Sequence, residues 1–438
     1  MPTHECKRKS EKMQQLLGKR AEELGRETGF VQRASKMSGA VFAQTMIMGC
    51  LEKPEATLGE LVQTSAEAGV MISEAGLQQR LTRRAVVFME ALLKEAMVQF
   101  GEGQRLGNDV LKRFTSVHIL DSSQITMPGA LETYFQGTQH KAALKLQVSF
   151  EYLQGVFRAL TFTPARQPDQ KCNLHVALAV PGSLHLFDLG YFKQQVFEQL
   201  AAVGAYFVSR LQTQTALYLT RDATAPLDLL TWLPSLHGDR WEGWLYLGQR
   251  VRLPVRLLAE KLPEPVAGER RRKARLTAKR RGTSCSQRHL ILQQWTLIIT
   301  NVPADWLSFD QILILYRVRW QIELLFKMCK SQARLACIGQ WCPERILCQL
   351  YARLLGVVLF HWVISSHRVL SGRELSLPKA FRLMQRQTHA WLDAIALADP
   401  RTLAVYLDIL IGDLLRFACK SQRKKSPSTY HSLVLLGA

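Results

Sequence analysis

Residues 316–330 place charged side chains along an otherwise apolar segment. The segment contains no Gly or Pro, and apolar residues surround it, so we predict one buried helix. At 100° per residue, Tyr316, Arg319, Glu323 and Lys330 fall on one stripe of that helix. One interpretation is an ordinary ion pair between Arg319 and Glu323. The other is a metal-binding carboxylate flanked by cations that contact a polyanion. Burying charged side chains costs free energy unless they are paired or bind a ligand, which favours this second interpretation.

The composition favours a polyanionic partner. The 438 residues include 57 Lys and Arg against 36 Asp and Glu, which gives a net charge of +21. Nucleic-acid-binding proteins have such a balance, although ribosomal and membrane-surface proteins share it.

The nine cysteines show no CxxC spacing, so we expect reduced thiols in a cytoplasmic protein. Because the first residues are polar, we expect no signal peptide, and because the apolar run 354–364 is short, we expect it not to cross a bilayer.

The first 110 residues are predicted to be helical. Ser73 is a candidate N-cap for a helix over residues 74–88, which would expose Gln79, Arg80 and Arg83. Amides and guanidinium groups of this kind suit a DNA recognition helix. A solvated helix of a bundle has the same pattern, so both interpretations stay open.

A strand pattern begins near residue 116. Three predicted strands are followed by a helix, a strand, a second helix and another strand, up to about residue 211. Asp121 and Asp188 each follow a short apolar run. If these runs are buried parallel strands, an ionised Asp at the strand end marks a ligand site. Each could equally be an ordinary turn or N-cap residue.

Residues 212–289 are predicted to form a β-rich insertion, with strands at 216–220, 227–233, 241–247 and 251–258. The insertion contains a basic run, which is either a solvated loop or a phosphate contact: Arg270, Arg271, Arg272 and Lys273. Trp295 then begins a strand that returns to the core, and a tryptophan in a strand is usually a core residue. Residues 346–438 are predicted to be helical.

The spacing Tyr-x2-Arg-x3-Glu-x6-Lys resembles the signature of the IS-four family of bacterial DDE transposases. Tyr316, Arg319, Glu323 and Lys330 fill its four positions. The resemblance covers residues 118–330 and implies that Asp121, Asp188 and Glu323 are the acidic triad. Like the family, the chain has a Gly-Tyr pair after the second acid, but it has Leu189 where the family usually has Arg.

The resemblance implies an α/β fold with a ribonuclease-H-like mixed-sheet core (111–211 and 290–345) interrupted by the β-rich insertion. Helical regions would flank this core, the N-terminal one binding the DNA ends. Two Mg²⁺ ions, with Mn²⁺ as a substitute, would be held by the triad during cleavage of the DNA ends and transfer of the 3′ ends to target DNA.

Further roles and partners follow from the same resemblance. Tyr316, Arg319 and Lys330 would contact phosphates near the cut, and Trp295 would hold a flipped base. A homodimer on double-stranded DNA, with no membrane partner, is expected. Two alternatives stay open: a nuclease without strand transfer and a catalytically silent DNA-binding relative.

Overall fold

The computed structural model describes residues 2–101, 109–280, 282–365, 369–370 and 373–420. The chain forms two compact units. Among the described residues, the helical unit comprises 2–101, 122–167, 321–365, 369–370 and 373–420, and the sheet unit comprises 109–121, 168–280 and 282–320.

The described α-helices are, in chain order, α1 (His4–Gln15), α2 (Ala21–Glu27), α3 (Gly39–Glu52), α4 (Leu58–Glu67), α5 (Glu74–Arg80), α6 (Arg83–Gln99), α7 (Leu174–Ala177), α8 (Gln194–Ala202), α9 (Leu229–Ser235), α10 (Glu264–Arg280), α11 (Gln287–Leu292), α12 (Phe309–Val318), α13 (Gln321–Ser331), α14 (Pro343–Ile364), α15 (Leu377–Arg386), α16 (Thr388–Ala396) and α17 (Pro400–Phe417); a π-helical segment, Leu16–Arg20, joins α1 to α2. The described strands are β1 (Val117–Met127), β2 (Ala142–Glu151), β3 (Val156–Pro164), β4 (Leu184–Phe187), β5 (Tyr206–Arg210), β6 (Leu217–Tyr218), β7 (Arg240–Leu247), β8 (Leu253–Lys261), β9 (Trp295–Thr300), β10 (Val369–Leu370) and β11 (Arg373–Glu374).

One sheet has the strand order β3-β2-β1-β4-β5-β9-β8-β7-β6. β1 belongs to both units, because its first five residues lie in the sheet unit and the rest in the helical unit. β1, β4 and β5 run parallel, and β2–β3 and β5–β9 are antiparallel pairs. Every residue of β4 is buried, as expected for a parallel strand covered on both faces.

The predicted α/β fold is confirmed. Strands β1, β2 and β3 are followed by α7, β4, α8 and β5, which is the ribonuclease-H-like order. In the sheet unit the core includes Phe187, Phe197 and Phe207, each with an exposed fraction of 0%. The rings of Phe197 in α8 and Phe207 in β5 stack with their centroids 4.5 Å apart, so this contact fixes the helix on the sheet.

Within the predicted β-rich insertion, β7 and β8 are strands as expected, and β8 pairs with β9 in the register Leu257↔Ile299. The predicted strand at 227–233 is wrong, because this segment forms α9. A run of seven largely apolar residues fits either structure. Asp228 favours the helix, since its side chain accepts a hydrogen bond from the Leu230 amide at 3.2 Å.

The prediction of one helix over residues 316–330 is also wrong. α12 ends at Val318 and α13 begins at Gln321. The last turn of α12 tightens through i→i+3 hydrogen bonds from the Arg319 and Trp320 amides. Tyr316 and Arg319 therefore precede the break, Glu323 and Lys330 follow it, and no continuous helical stripe joins the four residues.

Residues 74–88 likewise form two helices instead of one. Ser73 caps α5 as predicted, by accepting from the Gly76 amide at 3.1 Å. Leu81 then leaves the helical conformation at ψ 72°, and the Thr82 side chain caps α6 by accepting from the Ala85 amide. A threonine hydroxyl that bonds to the backbone competes with helix continuation, which explains the break.

α14 forms the centre of the helical unit. It is long and apolar enough to span a membrane by length and composition, but 94% of its apolar window is buried inside the protein. It packs on α3 and α6 from the N-terminal part of the chain. Such burial is typical of the core helix of a globular unit. The apolar run noted in the sequence is the C-terminal half of this helix.

His389 in α16 joins helices from the two ends of the chain. Its Nδ1 atom lies 2.9 Å from Glu67 and its Nε2 atom 2.8 Å from Glu52. These hydrogen bonds, that to Glu67 first, raise the pKa of His389. The protonated imidazole therefore links α16 to the ends of α3 and α4.

Candidate active site

Asp121 and Asp188 occupy equivalent positions on neighbouring parallel strands. The pairing of β1 with β4 ends at Leu120↔Phe187, and each aspartate is the next residue. β1 itself continues to Met127, so Asp121 ends the pairing with β4 and not the strand. The carboxyl end of a parallel pair therefore carries two adjacent carboxylates, as predicted for a ligand site.

Arg319 links the two aspartates. Its Nη1 atom lies 3.0 Å from Oδ2 of Asp121, and its Nη2 atom lies 3.4 Å from Oδ1 of Asp188. The Arg319 side chain is 8% exposed, against 16% for Asp121 and 38% for Asp188. A buried guanidinium group requires such compensation. These tertiary ion pairs give a physical reason for the helix break at Arg319, where no Gly or Pro signals one.

Asp188 also has the turn role that the sequence left open. Its Oδ2 atom accepts a hydrogen bond from the Gly190 amide at 3.3 Å, which caps the short 3₁₀ turn Leu189–Tyr191. The other oxygen faces Arg319. The turn thus orients the carboxylate toward the site, so the structural and the functional interpretation are compatible. Leu189, the departure from the family pattern, is 41% exposed.

Tyr316 adds a neutral hydroxyl group beside this cluster. Its ring centroid lies 5.9 Å from Cζ of Arg319. The Oη atom is buried near the Arg319 guanidinium group. Burial raises the pKa of Tyr316 to about 12, and the Asp188 carboxylate acts in the same direction. The phenol therefore stays protonated near neutral pH and can donate a hydrogen bond.

Sequence reasoning missed Arg210, which ends β5. Its charge acts on both Tyr316 and Arg270. A cation directly after the buried residues Phe207, Val208 and Ser209 was the available signal, equivalent to the aspartates after β1 and β4. Arg210, Tyr316 and Arg319 together make the surroundings of Asp188 rich in donors for an anion.

Glu323 and Lys330 lie on α13, in the helical unit. Lys330 donates a hydrogen bond from Nζ to the Gln124 carbonyl oxygen of β1 at 2.9 Å. Partial burial lowers the pKa of Lys330. An ammonium group has three donors, so one bond to β1 leaves donors for a phosphate oxygen. Glu323 is in the first turn of α13.

The other predicted DNA contacts occupy three places. Gln79 and Arg83 are exposed on either side of the α5–α6 break, and Arg80 is half-buried. The basic run lies in α10, where Arg271 and Arg272 pair with Glu264 and Glu269. Trp295 is 6% exposed and packs in the sheet-unit core, as a tryptophan in a strand usually does.

The acidic pair suits a hard divalent cation. Two carboxylates from adjacent strands already converge on one positive group, and carboxylate oxygens are the ligands that Mg²⁺ prefers. Among the residues that the structure describes, no three His, Cys, Asp or Glu side chains are grouped so that they could hold a metal ion. Asp121 and Asp188 therefore offer two carboxylate ligands from neighbouring strands.

Paired carboxylates at the end of a parallel strand pair, together with this strand order, are typical of enzymes that use acidic residues to process nucleic acids. The family model described as "Transposase DDE domain" matches residues 112–357, more than half of the 438 residues. The chain belongs to this DDE transposase family. Transposase activity and dependence on a divalent metal ion follow from that membership.

The relatives are transposases of bacterial insertion sequences. The IS231B transposase of Bacillus thuringiensis subsp. berliner is 27% identical over 85% of this chain and 84% of its own. The IS231F transposase of subsp. israelensis is 26% identical over 93% and 91%. The IS1151 transposase of Clostridium perfringens is 24% identical over 94% and 93%. A piggyBac transposase synaptic complex with hairpin DNA gives a TM-score of 0.46 at 11% identity, covering 98% of this chain and 88% of that one.

Proposed function

We propose that this transposase binds the terminal inverted repeats of an insertion sequence, cleaves the DNA ends and transfers the 3′ ends to target DNA. The single observation that carries the proposal is the convergence of Asp121 and Asp188 on Arg319 at the end of the β1–β4 pairing. Two carboxylates placed side by side at the end of a parallel strand pair can hold metal ions beside a phosphodiester, and the Arg319 guanidinium group balances their charge.

Asp121, Asp188 and Glu323 are the proposed ligands of two Mg²⁺ ions, for which Mn²⁺ can substitute. When bound, the ions would supply an activated water or 3′-hydroxyl and stabilise the leaving oxygen. The carboxylates also fix the orientation of Arg319, since its two terminal nitrogens each face one of them. A preoriented guanidinium group loses little entropy when it meets a phosphate.

Three further side chains are proposed to hold the scissile phosphate. Arg319 and Lys330 provide charge, and the Tyr316 hydroxyl donates a hydrogen bond because its raised pKa keeps it protonated. Such donors stabilise the charge that develops on phosphate oxygens in phosphoryl transfer. Trp295 could stack on a flipped base only in a conformation that uncovers its ring.

The N-terminal helices are proposed to recognise the ends through Gln79, Arg80 and Arg83, which lie on either side of the break at Leu81–Thr82. Arg270, Arg271, Arg272 and Lys273 are proposed phosphate contacts. Two copies of the chain would assemble on paired double-stranded DNA ends in the bacterial cytoplasm. A nuclease without strand transfer is the second candidate, because the same acidic site would serve it.

A strand-transfer assay tests the proposal. The parental protein, Asp121→Asn, Asp188→Asn and Glu323→Gln would each be mixed with a labelled end duplex, a target plasmid and Mg²⁺. We expect joined products from the parental protein only, while the amide variants bind DNA but cut at least about a thousandfold more slowly, roughly 4 kcal/mol of barrier. Asp222→Asn, an exposed acid outside the site, is the matched control.

Each outcome has one meaning. Cut but unjoined products from the parental protein would favour the nuclease. Substantial cutting by one amide variant would remove that residue from the ligand set. A parental protein that binds the end duplex without cutting it would overturn the proposal.

A further inference from the structure

A basic cleft opens in the sheet unit between α10, β5 and the segment that includes α11. It encloses about 550 Å³. We define the basic cleft by six of its lining residues, namely Arg210, Arg270, Lys273, Thr277, Ser286 and His289. All of them are cations or hydrogen-bond donors. The cleft is separate from the pair of aspartates, although Arg210 belongs to the surroundings of both.

The helical structure of the basic run decides which of its charges face the cleft. Arg270, Lys273 and Thr277 are three and four residues apart and share one face of α10. At 100° per residue, Arg275 and Lys279 lie on the opposite face, and neither lines the cleft. The sequence alone indicates a uniform block of charge, whereas the helix sorts it into two faces.

Ion pairs within α10 neutralise two arginines that do not line the cleft. The Arg272 guanidinium pairs with Glu269 at 2.8 Å, and Arg271 pairs with Glu264. Lys273 lies 3.5 Å from Glu269 and its side chain is 70% exposed, so this contact is weak. None of the described residues that line the cleft is Asp or Glu. The cleft therefore carries positive charge that its own lining does not neutralise.

Arg270 is the residue around which the cleft is built. It is half-buried, and its Nη1 atom donates to the Trp295 carbonyl oxygen at 3.4 Å. Burial, together with the nearby charge of Arg210, lowers its pKa. Two guanidinium groups held close together are unfavourable alone, and an anion placed between or beside them would remove that repulsion.

We infer that the basic cleft binds the phosphate backbone of a DNA strand next to the cleavage site. The inference rests on the proposed function for the identity of the anion. Guanidinium, ammonium, imidazole and hydroxyl donors around an open cleft match the oxygens of successive phosphates. Arg210 lines the cleft and follows Ser209, which pairs with Phe187 just before Asp188, so the strand in the cleft would continue toward Asp188.

The test compares two double variants that remove equal charge from the two faces of α10. The cleft variant is Arg270→Ala with Lys273→Ala, and the control variant is Arg275→Ala with Lys279→Ala. Binding to a labelled duplex that carries the terminal repeat, and to one of random sequence, would be measured by fluorescence anisotropy across a salt series. Single-turnover cleavage of the repeat duplex would be measured in parallel.

We expect the cleft variant to lose on the order of tenfold in affinity for both duplexes. Its plot of log K against log salt should flatten by about 1.8, because each phosphate contact contributes a slope of about −0.9. The control variant should keep the parental slope and affinity within about twofold. Equal losses in the two variants would overturn the inference, since net charge would then be the cause.

Arg270→Ala also removes the bond to Trp295, so a second pair of variants avoids this residue. Thr277→Glu places a carboxylate in the basic cleft, and Leu276→Glu places one on an adjacent exposed position outside it. Thr277→Glu should weaken binding at least several-fold more than Leu276→Glu, and equal effects would overturn the inference.

The parental protein distinguishes failure of the inference from failure of the proposed function. If the parental protein cuts the duplex but the two variants of each pair bind DNA equally well, only the assignment of the cleft fails. If the parental protein neither binds nor cuts the duplex, the proposed function fails.

Discussion

Replacing Arg319 by Met should make stability depend on divalent metal ions. The change keeps an unbranched side chain but leaves Asp121 and Asp188 without the cation that joins them at 3.0 and 3.4 Å. Breaking a buried ion pair costs about 3–5 kcal/mol. Asp188 is 38% exposed, and solvent screens it, so we expect a smaller loss of about 2–3 kcal/mol in metal-free buffer.

Mg²⁺ should then restore more stability to Arg319→Met than to the parental protein, because a cation no longer competes for the carboxylates. At a concentration 100 times the dissociation constant, binding stabilises the folded state by about 2.7 kcal/mol. Urea unfolding with and without MgCl₂ measures this difference. Arg317→Met, an exposed neighbour, is the control and should behave like the parental protein. An equal Mg²⁺ response in all three proteins would refute the reasoning.

Three further predictions concern other parts of the chain. His389→Gln should abolish a pH dependence of stability. The hydrogen bond to Glu67 raises the pKa of His389 in the folded state. The stability that His389 contributes is therefore full below its unfolded-state pKa and is lost as the pH rises through its folded-state pKa. Urea midpoints of the variant that match the parental values between about pH 6 and 9 would contradict this. Phe197→Ala should lower the free energy of unfolding by about 3–5 kcal/mol, since the side chain is fully buried; a loss below about 1 kcal/mol would show that the core contact is unimportant. Lys330→Ala should slow cleavage at saturating DNA, whereas Lys327→Ala, exposed on the same helix, should not; equal rates would show that Lys330 only anchors α13 to β1.

The strands of the core were predictable from the sequence because their signals are local. A short apolar run followed by an acid marked β1 and β4. The register that places Asp121 beside Asp188 follows from parallel pairing of these two runs. The placement of Asp121 and Asp188 on neighbouring strands was therefore predictable from the amino-acid sequence, and their role as metal ligands stays a prediction.

The helix break at Arg319 could not be predicted, since its cause is tertiary. Nothing in the local sequence interrupts the helix, and the ion pairs of Arg319 join this position to aspartates 198 and 131 residues upstream. α9 was missed for a different reason, because a leucine-rich run fits both structures. Arg210 was missed because one arginine after a strand is common, and only its neighbours in space give it a role.

Metal-directed cleavage of the protein backbone tests the central claim most directly. Fe²⁺ would replace Mg²⁺, and ascorbate with peroxide would generate hydroxyl radicals at the bound ion, which cut the chain close to its ligands. The account predicts cuts near Asp121, Asp188 and Glu323, all suppressed by excess Mg²⁺ and by Asp121→Asn. Cuts near the two aspartates without any near Glu323, or cuts that Mg²⁺ leaves unchanged, would contradict a metal site shared by these three residues.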